Sequence, residues 1–174
     1  HMPLPRDVMN RKFSEICARY EMDYWIWTPA DFDLKDSTKR AASLRDHEAL
    51  FRDCPRFDGV FFPGGDPGDN PPELVIPFLE DLSRVLAKYH PKAKIWLSMQ
   101  SVSKQQVDFV HNWINEKMPE WLGGLAAGPS SPASVALSPN PTTNISGKMN
   151  GVASRPTRQT PPITVPMLKV LMLS

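Results

Sequence analysis

Four short apolar runs alternate along this chain with segments of helical periodicity, and this alternation restricts the fold more than any other feature. The runs are centred near residues 25, 60, 97 and 124, and they are rich in the aromatic and β-branched residues that favour strands. In the segments between them, apolar residues recur every three or four positions, which is typical of amphipathic helices. Repeated helix–strand units of this length predict a parallel sheet.

Each predicted helix begins at a recognisable signal. The first helix is predicted over residues 7–20, and its apolar stripe is formed by Met9, Phe13, Ile16, Cys17 and Tyr20. The second has Ser37 as its N-cap and extends to about residue 52. In the third, Asn70 is predicted to be the N-cap, with prolines in the first turn. Ser103 and Gln106 have the spacing of a capping box at the start of the fourth.

Four βα units are half of what a closed (β/α)₈ barrel requires, since such a barrel has eight strands and typically about 250 residues. The chain has 174 residues. We therefore predict an α/β fold of alternating βα units with parallel strands, about half of a TIM-type barrel, over residues 1–132. A small open α/β sheet is the alternative.

The sequence changes character after residue 132. All 19 acidic residues lie within residues 1–128, and residues 129–174 contain no Phe, Trp or Tyr. We predict that residues 133–174 form an irregular tail, which is either a disordered extension or out-of-frame sequence.

Charge and cysteine usage exclude several protein classes. The formal net charge of +1 gives no indication of a nucleic-acid or membrane-surface partner. No apolar run reaches 18 residues and no signal peptide is recognisable, so we expect no membrane span, while the compartment stays unassigned. Cys17 and Cys54 have neither disulfide nor metal spacing, and we expect small buried side chains.

Candidate site residues follow from the rule that parallel α/β folds bind ligands at the carboxyl ends of their strands. After the second strand, Gly64 and Gly65 allow the backbone to approach a ligand closely, and Asp66 and Asp69 add carboxylates. The loop lacks the lysine of a phosphate-binding loop. Asp66, Asp69 and Asn70 could supply oxygen ligands to a divalent cation, but no histidine lies nearby, and we predict neither a metal nor a cofactor.

The other strand ends contribute an aromatic residue, a carboxylate and two polar side chains. These are Trp27, Asp31, Gln100 and Ser130. An aromatic platform beside carboxylates suits sugar recognition, and paired carboxylates are what glycosidic cleavage needs. We predict Asp66, Asp69 and Asp31 as catalytic residues, and Trp27, Gly64, Gly65, Gln100 and Ser130 as substrate-binding residues. Turn formation or helix capping by the loop aspartates is the simpler alternative.

The third strand is predicted to have two different faces. Trp96, Ser98 and Gln100 share one face, whereas Ile95, Leu97 and Met99 share the other, since successive strand side chains point in opposite directions. The mixed face suits a barrel interior or cleft, and the apolar face suits packing against helices.

The segment Phe61-Phe62-Pro63-Gly64-Gly65-Asp66 resembles the Gly-Gly-Asp strand end of carbohydrate-active (β/α)₈ barrels, notably the β-N-acetylhexosaminidase type. In that family the Asp orients the acetamido group of the substrate, and a Glu follows it as the general acid. Here Pro67 stands in the position of that Glu, so the resemblance carries over no acid. More broadly, residues 6–132 resemble bacterial glycosidase-like barrel proteins of unassigned activity.

The resemblance implies a carbohydrate-active, glycoside-hydrolase-like protein that uses strand-end carboxylates to bind or cleave a glycan. Its expected partners are a carbohydrate substrate and the remainder of the barrel, and we expect this chain alone to be inactive. The alternative is a non-catalytic α/β interaction module in which the glycine loop is a rigid turn.

Overall fold

The computed structural model describes residues 4–64, 67–126 and 170–173, the last of these by its backbone alone. Nine elements follow one another within these ranges: α1 (Arg6–Arg19), β1 (Tyr24–Trp27), α2 (Ser37–Asp53), β2 (Gly59–Pro63), α3 (Pro72–Tyr89), β3 (Lys94–Ser98), α4 (Lys104–Lys117), β4 (Leu122–Ala126) and β5 (Val170–Leu173). The predicted alternation of helices and strands is confirmed.

All the strands are parallel, and they form one sheet in the order β4-β3-β2-β1-β5. From β1 to β4 the order across the sheet is the order along the chain. Right-handed crossovers, which nearly all such connections adopt, then place the connecting helices on the same face. In agreement, α2 packs against α3 and α3 against α4. The open sheet is consistent with half a barrel and also with a small α/β domain.

Four residues of the predicted tail, Val170–Leu173, form β5 beside β1. The sequence did not single out this strand. Residues 127–169 lie outside the described residues, so the irregular tail stays a prediction.

The core lies between the sheet and the helices. Alternate strand residues point into it, namely Tyr24, Ile26, Val60, Phe62, Ile95, Leu97 and Leu125. The helices contribute the other side of the core. Most of it comes from α3, where Val75, Phe78, Leu79, Leu82 and Leu86 are buried. Burial of each such side chain stabilises the fold by about 1.5–3 kcal/mol. The predicted burial of Cys17 and Cys54 is confirmed.

Helix α1 does not bury the whole apolar stripe that was predicted for it. Its buried residues are Asn10, Ser14 and Cys17, whereas Ile16 and Tyr20 are exposed. The Ser14 hydroxyl donates to the Arg56 carbonyl oxygen (2.7 Å) and accepts from the Arg56 N–H (2.9 Å). A specific polar contact with the segment before β2 therefore determines which face of α1 points inward.

Two predicted helix caps are wrong by one residue. The N-cap of α2 is Asp36 rather than Ser37, and its carboxylate accepts from the N–H groups of Thr38 and Lys39. The N-cap of α3 is Pro71 rather than Asn70, because the Asn70 side chain is engaged elsewhere. The capping box of Ser103 and Gln106 is confirmed.

An ion-pair cluster joins the segments that precede β1 and β2 at the amino end of the sheet. Asp58 accepts from Nε (2.6 Å) and Nη2 (3.0 Å) of Arg56 and also from the Tyr24 N–H (2.9 Å). Arg56 reaches Asp23 at 3.3 Å as well. These residues lie opposite the carboxyl ends of the strands, so we assign them to stability. Within the described residues, no helix is both long and apolar enough to cross a membrane.

Candidate functional site

The face of the sheet opposite the helices is aromatic. It carries Trp25 and Trp27 from β1, Phe61 from β2 and Trp96 from β3, each of them half-buried. The strand register places Trp27, Phe61 and Trp96 in one row across three strands. None of the four belongs to the helix-side core. We call these four residues the aromatic face.

Gly59 makes room for Trp25. The two residues are register partners on neighbouring strands, and a Cβ atom built on Gly59 would lie 2.6–2.7 Å from three atoms of the Trp25 indole. A strand glycine often marks a place where another group approaches the backbone closely. Here the group is the indole, which lies over the β2 backbone.

A β-bulge performs the same role for Trp96. The register shifts between Ile95 and Trp96, which pair with Leu122 and Gly124, so that Gly123 is the extra residue. A Cβ atom at Gly123 would lie 2.6 Å from the Trp96 indole nitrogen, and one at Gly124 would also collide with this ring. Gly124 has a φ of +156°, which L side chains rarely adopt. The Trp96 indole therefore also lies directly over glycine backbone.

The two indoles meet across the sheet. The ring centroids of Trp25 and Trp96 are 5.8 Å apart, with an interplanar angle of 41°, within the range of favourable aromatic pairs. Because each ring lies over glycine backbone, one face of the ring lies against the sheet and the opposite face points away from it. The two rings form an angled aromatic surface, which suits a ligand with an apolar face.

Two loops border the aromatic face at the carboxyl end of the sheet. We call residues 28–36 the β1 loop and the described residues 64 and 67–71 the β2 loop. Gly64 begins the β2 loop beside β3, where a Cβ atom would collide with the carbonyl oxygen of Ser98. Gly68 has a φ of +106°, and a Cβ there would collide with the carbonyl oxygen of Ala30 in the β1 loop. Both positions therefore require glycine.

Asn70 connects the same two loops. Its Oδ1 accepts from the Leu34 N–H (2.9 Å), and its Nδ2 donates to the carbonyl oxygens of Phe32 (2.9 Å) and Ala30 (3.3 Å). The side chain is buried, with 6% relative exposure of the residue. Asn70 thus serves tertiary structure instead of capping α3.

The predicted site residues are divided between described and undescribed parts of the chain. Asp31 is exposed in the β1 loop, Asp69 is exposed in the β2 loop with a φ of +48°, and Gln100 is exposed just after β3. Trp27 belongs to the aromatic face, and Gly64 starts the β2 loop. Gly65, Asp66 and Ser130 lie outside the described residues. Their roles, like those of the others, stay predictions.

The contacts through Asn70 and Gly68 bring together the loops that carry Asp31 and Asp69. Asp33 forms a local turn, since its carboxylate accepts from the Lys35 N–H at 2.9 Å. The predicted division of β3 is also observed. Ile95, Leu97 and Met99 are buried, and Trp96 is half-buried on the other face. Ser98 shares the Trp96 face but is buried, and its Oγ accepts from the Gln100 N–H at 3.2 Å.

A half-buried histidine, His47, supports the end of β1 from the helix side. The His47 Nδ1 lies 2.7 Å from the Ser43 carbonyl oxygen and must donate to it, so Nε2 accepts from the Thr28 hydroxyl at 2.9 Å. Burial lowers the pKa of His47, against a smaller opposing effect of the Ser43 bond. This side chain is a neutral structural group behind Trp27. The sequence contained no signal for the pair.

Two cavities among the described residues lie away from the aromatic face. A void of about 10 Å³ between sheet and helices is lined mainly by apolar residues such as Val75, Leu97 and Val110, and it is too small for a ligand. A groove of about 280 Å³ separates α1 from α2, lined by residues including Arg11 and Leu50. Among residues 4–64 and 67–126, no three His, Cys, Asp or Glu side chains are grouped as metal ligands.

Trp25, Phe61, Trp96 and the strand glycines were not among the predicted site residues, although Trp96 was predicted on the face of β3 that suits a cleft. The available signal was glycine within strands, at positions 59, 123 and 124, beside runs rich in tryptophan. Comparisons of this chain with protein-family models, with curated proteins and with solved structures found no match. The function is therefore inferred from the geometry and chemistry of these residues.

Proposed function

We propose that this chain is a carbohydrate-active, glycoside-hydrolase-like protein that binds a glycan on the aromatic face. The observation that carries the proposal is that Trp25 and Trp96 lie over glycines on the face of the parallel sheet opposite helices α2 to α4. Sugar rings have apolar C–H faces that stack on indoles. Ligand sites are lined mainly by apolar and aromatic side chains with a few polar groups, and the aromatic face with the exposed Asp31 and Asp69 at its edge offers these residue types.

The surrounding charge favours a neutral glycan. Asp31, Asp33 and Asp69 are exposed in the two loops at the edge of the face, against one exposed lysine, Lys35. Carboxylates accept hydrogen bonds from sugar hydroxyls, whereas they repel the carboxylates or sulfates of acidic glycans. In the proposal Asp66 contacts the substrate, Asp69 or Asp31 assists, and Trp27 extends the stacking surface. Pro67 stands where the β-N-acetylhexosaminidase type has its general-acid Glu. We therefore propose glycan binding, and not cleavage, as the primary activity.

Isothermal titration with a panel of neutral oligosaccharides tests the proposal, using the complete chain. Trp96→Ala should weaken binding by about tenfold, which is the loss of roughly 1.4 kcal/mol of stacking. Asp66→Ala should weaken it as well.

The matched control is Trp113→Ala. Trp113 packs on Trp121 with a centroid distance of 6.0 Å and an angle of 46°, close to the geometry of the Trp25–Trp96 pair, but both rings pack against the helix-side core. This variant should bind like the wild type. Equal losses in both tryptophan variants would contradict the proposal. Absence of binding to every oligosaccharide would favour the non-catalytic interaction module.

A further inference from the structure

We propose that Asn70 is a positioning residue that holds the β1 loop and the β2 loop as one unit, so that Asp31 and Asp69 keep a fixed spacing beside the aromatic face. The inference rests on the proposed function for its consequence in glycan binding. Its structural part, the fixed spacing, is independent of any ligand.

The amide of Asn70 uses its whole donor capacity on the neighbouring loop. A primary amide has two N–H donors, and here they go to the carbonyl oxygens of Phe32 and Ala30, while Oδ1 accepts from the Leu34 N–H. Ala30 and Leu34 are each 3% exposed. Buried backbone groups need partners, and this side chain provides them from 36–40 residues away in sequence.

The backbone on either side of Asn70 reinforces the link. Pro71 and Pro72 follow it, with Pro71 at φ −71° and ψ 154° as the N-cap of α3, and proline rings fix φ. Gly68, two residues before Asn70, lies against the Ala30 carbonyl oxygen so closely that only glycine fits. The Ala30 carbonyl is therefore held by a side chain and by close backbone packing at once.

The two carboxylates lie directly beside these anchors. Asp31 is flanked by Ala30 and Phe32, whose carbonyls both accept from Asn70. Asp69 directly precedes Asn70 in the chain and has a φ of +48°, in the left-handed region. Neither carboxylate takes part in the link, so both stay exposed for a ligand. Asn70 thus acts through Asp31 and Asp69 and needs no contact with substrate.

A distance measurement tests the fixed spacing without a ligand. Spin labels on Asp31→Cys and Asp69→Cys can be attached selectively, because the native cysteines are buried. Electron–electron double resonance should give a narrow distance distribution in this double variant, and a clearly broader one when Asn70→Leu is added. Asp33→Ala is the matched control, because it breaks a turn within the β1 loop alone, and it should leave the distribution narrow. Unchanged width with Asn70→Leu would overturn the inference.

The conservative variant Asn70→Asp gives a readout that a general packing defect would not. Its carboxylate can accept from the Leu34 N–H but faces two carbonyl oxygens, so its pKa should rise above the ordinary value of about 3.9. Protonation restores one donor. With Asn70→Asp, the distance distribution between the two spin labels should be broad at pH 7 and should narrow by pH 4.5. This variant also provides a test if Asn70→Leu does not fold. Broadening that persists at the lower pH would count against the link.

Glycan affinity separates this inference from the proposed function. If the wild type binds an oligosaccharide, Asn70→Leu should weaken binding by about tenfold or more under conditions where circular dichroism shows a folded chain. Unchanged affinity alongside a broadened distribution would overturn the positioning role and leave the proposed function standing. If the wild type binds no oligosaccharide, the proposed function fails, and the distance distributions alone decide the link.

Discussion

Replacing Gly59 with alanine tests whether Trp25 depends on the space above this glycine. The new methyl would lie 2.6 Å from two ring carbons of Trp25, roughly 1 Å inside the separation of about 3.5 Å at which carbon atoms pack. Either the indole or β2 must move. Overpacking of this kind costs about 1–3 kcal/mol, and we expect Gly59→Ala to lower the free energy of unfolding by this amount.

The Trp25→Ala background provides the control. The three atoms nearest to the new methyl all belong to Trp25, and Gly59 has no positive φ that alanine would strain. Without the indole, Gly59→Ala should be neutral or stabilise by up to about 1 kcal/mol, since alanine loses less conformational entropy on folding. Urea unfolding followed by circular dichroism should give a coupling of about 2 kcal/mol in the double-mutant cycle. Additivity within about 0.5 kcal/mol would show that the indole does not lie over Gly59.

Three further predictions concern the supporting structure. Asp58→Asn should lower the free energy of unfolding by about 1–2 kcal/mol, because Arg56 loses a carboxylate that accepts two of its hydrogen bonds. The control, Asp53→Asn at an exposed ion pair, should lower it by less than about 0.5 kcal/mol. Equal losses of stability in urea unfolding would contradict this prediction. Burial raises the pKa of Cys54 from 9.0 to about 12, so the unfolded chain releases this proton first, and stability should fall by about 1.4 kcal/mol per pH unit above pH 9. Cys54→Ala should remove that component of the pH profile. Burial lowers the pKa of His47 from 6.5, so the unfolded chain binds the proton first as the pH falls. The free energy of unfolding should therefore decrease below about pH 6.5. If His47→Gln leaves this pH dependence unchanged, His47 is not the neutral structural group described here.

The secondary structure could be predicted because its signals are local. Apolar periodicity predicted α1 to α4, apolar runs predicted β1 to β4, and the capping box of Ser103 and Gln106 uses residues three apart. The cap of α2 was misplaced by one residue because Asp36 and Ser37 are both good N-caps. Only the geometry shows that the Asp36 carboxylate reaches the N–H groups of Thr38 and Lys39.

Tertiary contacts explain what the sequence could not predict. The sequence around Asn70 is that of a helix start, but the partners of its amide lie in another loop. In α1, the bonds between Ser14 and Arg56 turn a polar residue inward and leave Ile16 exposed. Local periodicity contains no information about such partners.

The candidate site was predicted only in part for the same reason. The rule for parallel sheets selected the carboxyl edge, and Trp27, one of the residues it selected, lies on the aromatic face. That this edge binds a ligand stays a prediction. The seating of Trp25 depends on a glycine in the next strand, and the seating of Trp96 depends on a bulge in β4. Both facts require the strand register, which the sequence does not specify.

The five tryptophans of this chain provide the most direct test of the proposed function. Three lie on the aromatic face, and Trp113 and Trp121 pack together on the opposite side of the sheet. Each indole N–H gives its own signal in a two-dimensional ¹H–¹⁵N spectrum, which can be assigned by single Trp→Phe variants. During titration with a neutral oligosaccharide, the signals of Trp25, Trp27 and Trp96 should shift while those of Trp113 and Trp121 stay in place. If only the Trp113 and Trp121 signals shift, or if none does, the aromatic face is not a glycan-binding site.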